Sequence, residues 1–502
     1  MAISHSSSPL FHILLLTLFL TAIQAQVPEN QTFKFVNHGK FGQPTTEYQS
    51  TYRVIQAKNV NFYTHPFQLC FYNTTPGAYI LAIRTGIPHD GGLMRWVWDA
   101  NRNNPVGENA TLSFLSTGNL VLSEANGRIV WQTNTTNRGV TGIKLLSNGN
   151  LVLHDSSGSL IWQSFHYPTD TLLVGQSLRI SGRDKLVSRK SEKDGFDGTY
   201  SLILNNQGLY LYLNNRGQLI RYSGWGYADR AATVIFDGKP VNNNNFTAYQ
   251  LTLTIYENDT TPPPPDGYQL TLRTLNYNTT LSFIRLGSDG NLKAYTYQSS
   301  RWQESFAYFS SYYVRECSLP TKCGSYGLCD KGVCLACPTT TGLVSWNESC
   351  APPNLAQCKS GAAANYYKID GARHFLDSIR DGGDGLDLEE CRKKCDEDCN
   401  CLGFFHREES GRCLIAPVLG TLIEALPDKV ALGVMEDNVT IWKQLEANHS
   451  FLGSVGLPGN TVIGVGQDKV AVSSEGEGTL DGHAKSKVVG IKGGVVETEL
   501  EW

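Results

Sequence analysis

The chain carries little charge and almost no methionine. Asp, Glu, Lys and Arg make up 18% of its 502 residues, and 3 residues are Met. The net charge is -4 with no basic stripe, which excludes nucleic acid as the main partner because phosphate binding needs clustered Lys and Arg. Catalytic signatures are missing too. There is no Gly-x-Ser-x-Gly, no His-Glu-x-x-His and no glycine loop ending in Lys-Ser/Thr. His166 and His406 stand without a nucleophile motif, and Asp384, Asp387 and Glu389 lack the alternating ligand pattern of a calcium loop. The reading is non-enzymatic, with no cofactor and no metal. After the first 25 residues no apolar run approaches the roughly 18 residues of a membrane-spanning helix, and the C-terminus lacks the apolar tail of a lipid-anchor signal.

What is present is β-rich. Hydrophobic residues make 41% of the chain, and Gly, Asn, Thr and Tyr are plentiful. Residues 1–25 hold a short apolar run from Leu10 to Leu20 and a small-residue site at Ala25, the pattern of a signal peptide. Ten Asn-x-Ser/Thr sequons, at Asn30, Asn73, Asn109, Asn134, Asn245, Asn258, Asn278, Asn347, Asn438 and Asn448, fit a secreted, N-glycosylated protein. Most of the 13 cysteines fall between Cys317 and Cys413, as expected in an oxidising compartment. Cys70 stands alone. It is either a small apolar residue of a buried strand or the link of a disulfide-joined homodimer.

The central feature is a hairpin written twice. Asn119-Leu-Val-Leu is followed by a turn at Gly127, then Trp131 and Gln132. Thirty-one residues later Asn150-Leu-Val-Leu leads through Gly158 to Trp162 and Gln163. A weaker third copy carries Trp98. Repeated Trp at fixed spacing predicts three similar β units around one core.

These residues carry a family resemblance. Gly-Asn-Leu-Val-Leu, Ile161-Trp-Gln-Ser-Phe165 and Pro168-Thr-Asp-Thr-Leu172 resemble the plant bulb-type, mannose-binding-lectin-like domain. With Phe67-Gln-Leu-Cys-Phe-Tyr and Arg95-Trp-Val-Trp-Asp-Ala-Asn, the chain is similar to the S-locus-glycoprotein-like group, and within it to the epidermis-specific secreted glycoproteins. The resemblance spans about residues 35–445. It implies a mainly β fold: β-prism lectin-like domains at 26–178 and, more divergent, at 179–312. An EGF-like segment at 313–352 and a PAN/apple domain at 353–445 follow. The expected place is the cell wall or apoplast. Residues 446–502 show no resemblance and are expected as a disordered tail.

Six cysteines from Cys317 to Cys350 allow 15 pairings by spacing alone. The resemblance implies Cys317 with Cys329, Cys323 with Cys334 and Cys337 with Cys350. In the PAN-like region it implies Cys391 with Cys413 and Cys395 with Cys401, leaving Cys358 with Cys399. A short helix is expected around Cys391 and Cys395, with Asp387 as its N-cap.

The family's mannose site is Gln-x-Asp-x-Asn-x-Val-x-Tyr, with alternate side chains on one strand face. The first copy offers Leu115, Thr117, Asn119, Val121 and Ser123. The second offers Leu146, Asn148, Asn150, Val152 and His154. Around Asn291 stand Gly287, Asp289, Lys293 and Tyr295. No copy is complete. Thr117, Asn119, Val121, Asn148, Asn150 and Val152 are the remnants of degenerate pockets. The expected partners are wall or glycoprotein glycans. The alternative is a structural or decoy glycoprotein that engages extracellular proteins through the PAN domain.

Overall fold

A computed structural model describes residues 27–436 apart from 43–45, 87–92, 228–229, 244–245, 258–266, 276–280, 299–300, 311–315, 353–364, 378–384 and 425–429, and it places four further strands between 461 and 501. The signal-peptide region, Cys358 and the sequons at Asn245, Asn258, Asn278, Asn438 and Asn448 lie outside the described residues.

The first module is three antiparallel sheets around one core. One contains Phe33–Val36, Thr111–Phe114, Leu120–Ser123 and Ile129–Gln132. The second contains Gly142–Leu145, Leu151–His154 and Leu160–Gln163. The third contains Thr51–Val54, Phe67–Thr75, Ala78–Thr85 and Arg95–Asp99, with Tyr63–Thr64 at its side. Period-2 alternation drives this: Leu112, Phe114, Leu120, Leu122, Leu151 and Leu153 are all fully buried or nearly so. At the centre the three repeat tryptophans meet. The ring centroids of Trp98 and Trp131 are 6.0 Å apart, those of Trp98 and Trp162 6.2 Å, and those of Trp131 and Trp162 5.8 Å, all edge to face. That is the arrangement aromatic quadrupoles favour, and it closes the threefold core that the repeat predicts.

The second module repeats the plan with three four-stranded sheets. Its core uses Leu, Ile, Tyr and Phe, including Leu202, Leu211, Tyr222, Phe236 and Leu253. Its boundary differs from the expectation. Thr171–Leu173 pairs with Ser282–Leu286, and Gln176–Arg179 pairs with Thr233–Asn243. The second module therefore begins at Thr171, not after residue 178. The strands are short and their partners lie tens to more than a hundred residues away, so nothing local marks the change.

A buried polar network joins the two modules. Arg102 donates to Asp99 Oδ2 at 2.7 Å, to the Val187 carbonyl at 3.0 Å, and sits 3.0 Å from Asp170 Oδ2. Arg285 donates to Thr171 Oγ1 at 3.0 Å, to Tyr48 Oη at 3.1 Å, and to Glu47 and the Trp96 carbonyl. Arg189 donates to Tyr72 Oη at 2.6 Å and lies 4.3 Å over the Tyr48 ring. Glu47, Asp99, Asp170, Arg102, Arg189 and Arg285 are each at most 6% exposed. Three carboxylates thus face three guanidiniums out of water, the balance such burial demands.

The cysteine-rich regions are one structure. Gly342–Ser345, Val333–Thr339 and Tyr326–Asp330 form a sheet that continues, through a parallel pairing, into Gly420–Glu424 and then Ala372–His374. The boundary expected at 352 is crossed by this sheet. Disulfides join Cys317 to Cys329, Cys323 to Cys334, Cys337 to Cys350, Cys391 to Cys413 and Cys395 to Cys401, and Cys399 is also disulfide-bonded. A second sheet orders Asn365–Asp370, Val430–Glu436, Gly403–Arg407 and Arg412–Ala416. The helix Leu388–Glu397 packs on it through buried Cys391 and Cys395. Asp387 caps the helix by accepting from Glu390 N at 2.8 Å, and Glu390 accepts from Asp387 N at 3.0 Å.

One expectation changes, and of the two readings of Cys70 the buried one holds. Within the tail, Thr461–Gly466 pairs with Lys469–Ser474 and Lys485–Lys492 with Val495–Glu501. Valine-rich alternation supplies the strand preference that the overall polarity concealed. Cys70 is fully buried in the strand Phe67–Thr75, and burial pushes its thiol up to about 12. It is the small apolar residue of a core, and it presents no surface thiol to link a homodimer.

Of the sequons in described residues, Asn30, Asn109, Asn134 and Asn347 are exposed. Asn73 is buried, and its side-chain carbonyl accepts a hydrogen bond from Thr51. Asn73 is the sequon whose folded surroundings least suit a glycan, because its side chain is largely enclosed by the sheet. Glycopeptide mass spectrometry after enzymatic release in heavy-oxygen water should find Asn73 unmodified and the four exposed sites modified. A glycan at Asn73 would contradict this packing.

Candidate functional site

The motif residues lie in and just before the strands Leu120–Ser123 and Leu151–His154 of the two repeat hairpins. Asn119 is at the start of Leu120–Ser123 and only 4% exposed. Its Nδ2 donates to Gln132 Oε1 at 2.8 Å, while its Oδ1 accepts from Thr133 Oγ1 at 3.0 Å and from Thr135 N at 3.2 Å. Asn150 is wired alike. Its Nδ2 donates to Gln163 Oε1 at 2.8 Å, and its Oδ1 accepts from Ser164 Oγ and Phe165 N, each at 3.2 Å. Both amides tie the start of one strand to the end of the next. The equivalent Asn291 of the second module donates to the Phe309 carbonyl and accepts from Phe309 N, both at 3.0 Å.

The remaining positions follow from strand alternation. Val121 and Val152 are buried. Thr117 is half-buried, and its carbonyl accepts from Asn137 N at 2.8 Å. Asn148 is exposed, and its Oδ1 accepts from Asn150 N at 3.1 Å, a local turn contact. Leu115 holds the Gln position and is 42% exposed. His154, at the Tyr position, faces Gly142 across the strand pair, so close that a Cβ on Gly142 would sit 2.6 Å from its Nε2. The structure brings Thr117, Asn119 and Val121 together on one hairpin and Asn148, Asn150 and Val152 on the other. It does not join the two sets into one pocket.

Sequence reasoning missed Gln132 and Gln163 as the partners of these asparagines. The signal was available, since Asn and Gln recur at identical offsets in both copies. It also missed the buried network, whose members run from Glu47 to Arg285 without a local pattern.

Two shallow features lie away from these hairpin strands. A groove of about 540 Å³ in the first module is lined by residues including Gln56, Lys58, Asn61, Tyr63 and Gln68. A cavity of about 10 Å³ in the C-terminal module is lined by residues including Arg373, Arg407 and Arg412. No helix among the described residues is long and apolar enough to cross a membrane.

Comparison with known proteins agrees with this architecture. The family described as D-mannose binding lectin matches residues 95–192. EP1-like glycoprotein 2 of Arabidopsis thaliana is 51% identical over 427 residues, covering 81% of this chain and 94% of that protein. The epidermis-specific secreted glycoprotein EP1 of Daucus carota is 44% identical over 381 residues, covering 69% of this chain and 95% of that protein. Among solved structures, the Polygonatum cyrtonema lectin complexed with monomannoside matches at 23% identity over 24% of this chain and 76% of that chain, with a TM-score of 0.10. The assignment of the fold rests on the strand pairing above. Given that pairing, the repeat hairpins and identity of 44–51% over 69–81% of this chain, the chain belongs to the EP1-like family of secreted plant glycoproteins.

Proposed function

We propose that the protein is a non-enzymatic glycoprotein of the cell wall or outer cell surface that recognises carbohydrate without using the mannose positions of its repeats. The observation that carries this is the shared wiring of Asn119 and Asn150. Their carbonyl and amide groups are engaged by Gln132, Gln163 and neighbouring hydroxyl and N–H groups. Freeing them for a sugar would break two or three internal hydrogen bonds, each worth about 0.5–1.5 kcal/mol. That cost is comparable to what a monosaccharide could return. The lectin-like likeness over residues 95–192 supports glycan recognition as the role of the module.

A second reading, protein engagement through the PAN-like module, has its own support. The hairpin on its shared sheet exposes Val333, Leu335, Leu343 and Val344, which are 39–60% exposed. Single apolar residues at a surface are ordinary, and four on one edge hairpin favour this reading.

A glycan array carrying mannosides, neutral wall oligosaccharides and acidic wall oligosaccharides tests both readings. Thr117→Ala and Asn148→Ala are the controls, since neither side chain is buried. The expected result is no mannoside binding and saturable binding of a wall oligosaccharide that survives both substitutions. Mannoside binding lost in Asn148→Ala would restore the repeat pocket. Silence on the whole array at millimolar sugar would leave the protein-binding reading.

A further inference from the structure

The groove of about 540 Å³ in the first module is built on a segment that the mannose positions of the repeats do not use. Its apolar lining is anchored. Ile55, Val60 and Phe62 are buried and belong to the core that holds Trp98 and Trp162. Hydrogen bonds fix the segment that carries them. Ile55 N donates to the Leu69 carbonyl at 3.2 Å, and Leu69 N donates to the Phe62 carbonyl at 3.0 Å. Asn59 Nδ2 donates to the Asn30 carbonyl at 2.7 Å, and Thr64 Oγ1 donates to the Leu145 carbonyl at 2.8 Å. The groove is therefore preformed, and its volume falls in the range of about 300–1,000 Å³ common to small-ligand sites.

Its polar lining is rich in donors. Asn61 Oδ1 accepts from Tyr63 N at 2.9 Å, and Gln68 Oε1 accepts from Nη2 of the buried Arg84. Both amide oxygens are thereby engaged, which leaves the amide N–H groups for a ligand. Gln56 and Lys58 are exposed and add further donors, and no residue lining the groove is a carboxylate. Such a lining suits a ligand rich in acceptors and repels a cation. Beside these groups stands an aromatic ring. Tyr63 is 40% exposed on the short strand Tyr63–Thr64, which pairs with Phe67–Thr75, and its Oη lies 3.3 Å from His65 Nδ1.

We propose that this groove binds a neutral, β-1,4-linked polysaccharide chain. The hydroxyl and ring oxygens of the sugar accept from the amide N–H groups of Asn61 and Gln68. Where the ring substituents are equatorial, both faces of a pyranose are C–H surfaces, and such a face covers the Tyr63 ring. The axial hydroxyl of a mannoside interrupts that surface. An acidic chain is matched less well, because a single ammonium offers no bidentate partner for its carboxylates. The proposal rests on the carbohydrate reading above and gives it a ligand class and a location.

The test is isothermal titration of the whole secreted chain with cellotetraose, xylotetraose, the α-linked maltotetraose and a tetramer of galacturonic acid. Tyr63→Ala, Tyr63→Phe and Asn30→Gln are run beside wild type, with circular dichroism to confirm the fold. The two β-1,4-linked neutral sugars should bind in preference to the other two. Tyr63→Ala should weaken them by about tenfold, and Tyr63→Phe by less than about threefold, because the ring rather than its hydroxyl makes the contact. Equal binding by Tyr63→Ala, or preference for the acidic tetramer, overturns the proposal. Binding by Asn30→Gln but not by wild type also overturns it, since the groove would then hold the chain's own glycan at Asn30, beside Asn59. If only the α-linked or the acidic sugar binds, this site falls and the carbohydrate reading stands. If none binds, this site falls, and if the glycan array is silent too, the carbohydrate reading falls with it.

Discussion

Trp162→Ala should cost about 3–5 kcal/mol of local stability, the range for removing a large buried aromatic side chain. Trp162 touches both other repeat tryptophans edge to face, and its far side stacks on Tyr167 with centroids 5.6 Å apart. Truncation therefore opens a cavity where all three sheets converge, and no single sheet can collapse into it. The modules adjoin one another, so one unfolding midpoint would not be a two-state quantity. Amide hydrogen exchange of Leu120–Ser123 and Leu151–His154 reads the effect locally. Protection should fall in both hairpins together, and Trp162→Phe should lose less than half as much. A cost below about 1 kcal/mol, or loss confined to one hairpin, would mean that the three units do not share a core.

The second large effect lies between the lectin-like modules. Arg285→Met leaves Glu47 with Arg95 and Asp170 with Arg102 as their remaining cations and should cost about 3 kcal/mol, because the buried carboxylates are then less compensated. Adding Glu47→Gln should recover part of that loss. The recovery is the evidence that charge, not volume, is responsible. A double variant no better than Arg285→Met would indicate packing instead.

The same site carries a pH dependence. Burial pushes the Asp170 carboxyl up, but Arg102, then Arg285, together with the Thr171 hydroxyl, outweigh it and hold the group below the ordinary carboxylate range. A carboxylate depressed in the folded state contributes stability that is fully present above its unfolded value, about 3.9, and is lost as pH falls through the lower folded value. Wild type should therefore keep its module contact through pH 4 and weaken below it. In Arg285→Met the loss should begin at higher pH. Exchange protection of Thr171–Leu173, read at stepped pH, checks the sign.

The legible parts of the fold were those with a local period. Trp131 and Trp162 at matched offsets announced the shared core, and Asp387 ahead of the Cys391 and Cys395 segment announced a helix cap. The start of the second module was not legible. Thr171–Leu173 is three residues long and its partner strand begins at Ser282, so only the folded chain brings them together. At the candidate site the sequence identified the surviving motif residues but not their occupation. Asn119 reads the same whether its amide faces a sugar or Gln132, and only the position of the neighbouring strand decides.

The parallel pairing between Tyr326–Asp330 and Gly420–Glu424 also sets how the C-terminal region carries tension. A pull entering before Tyr326 and leaving after Glu424 acts on opposite ends of two strands that run in the same direction. Their hydrogen bonds are then sheared together rather than peeled one by one. The cystine loops that lie between these two strands in the chain, such as Cys337–Cys350 and Cys391–Cys413, remove part of it from any extension. A wall that swells and shrinks would thus meet stiff resistance in this region, and the lectin-like modules, which have no disulfide among the described residues, would stretch first.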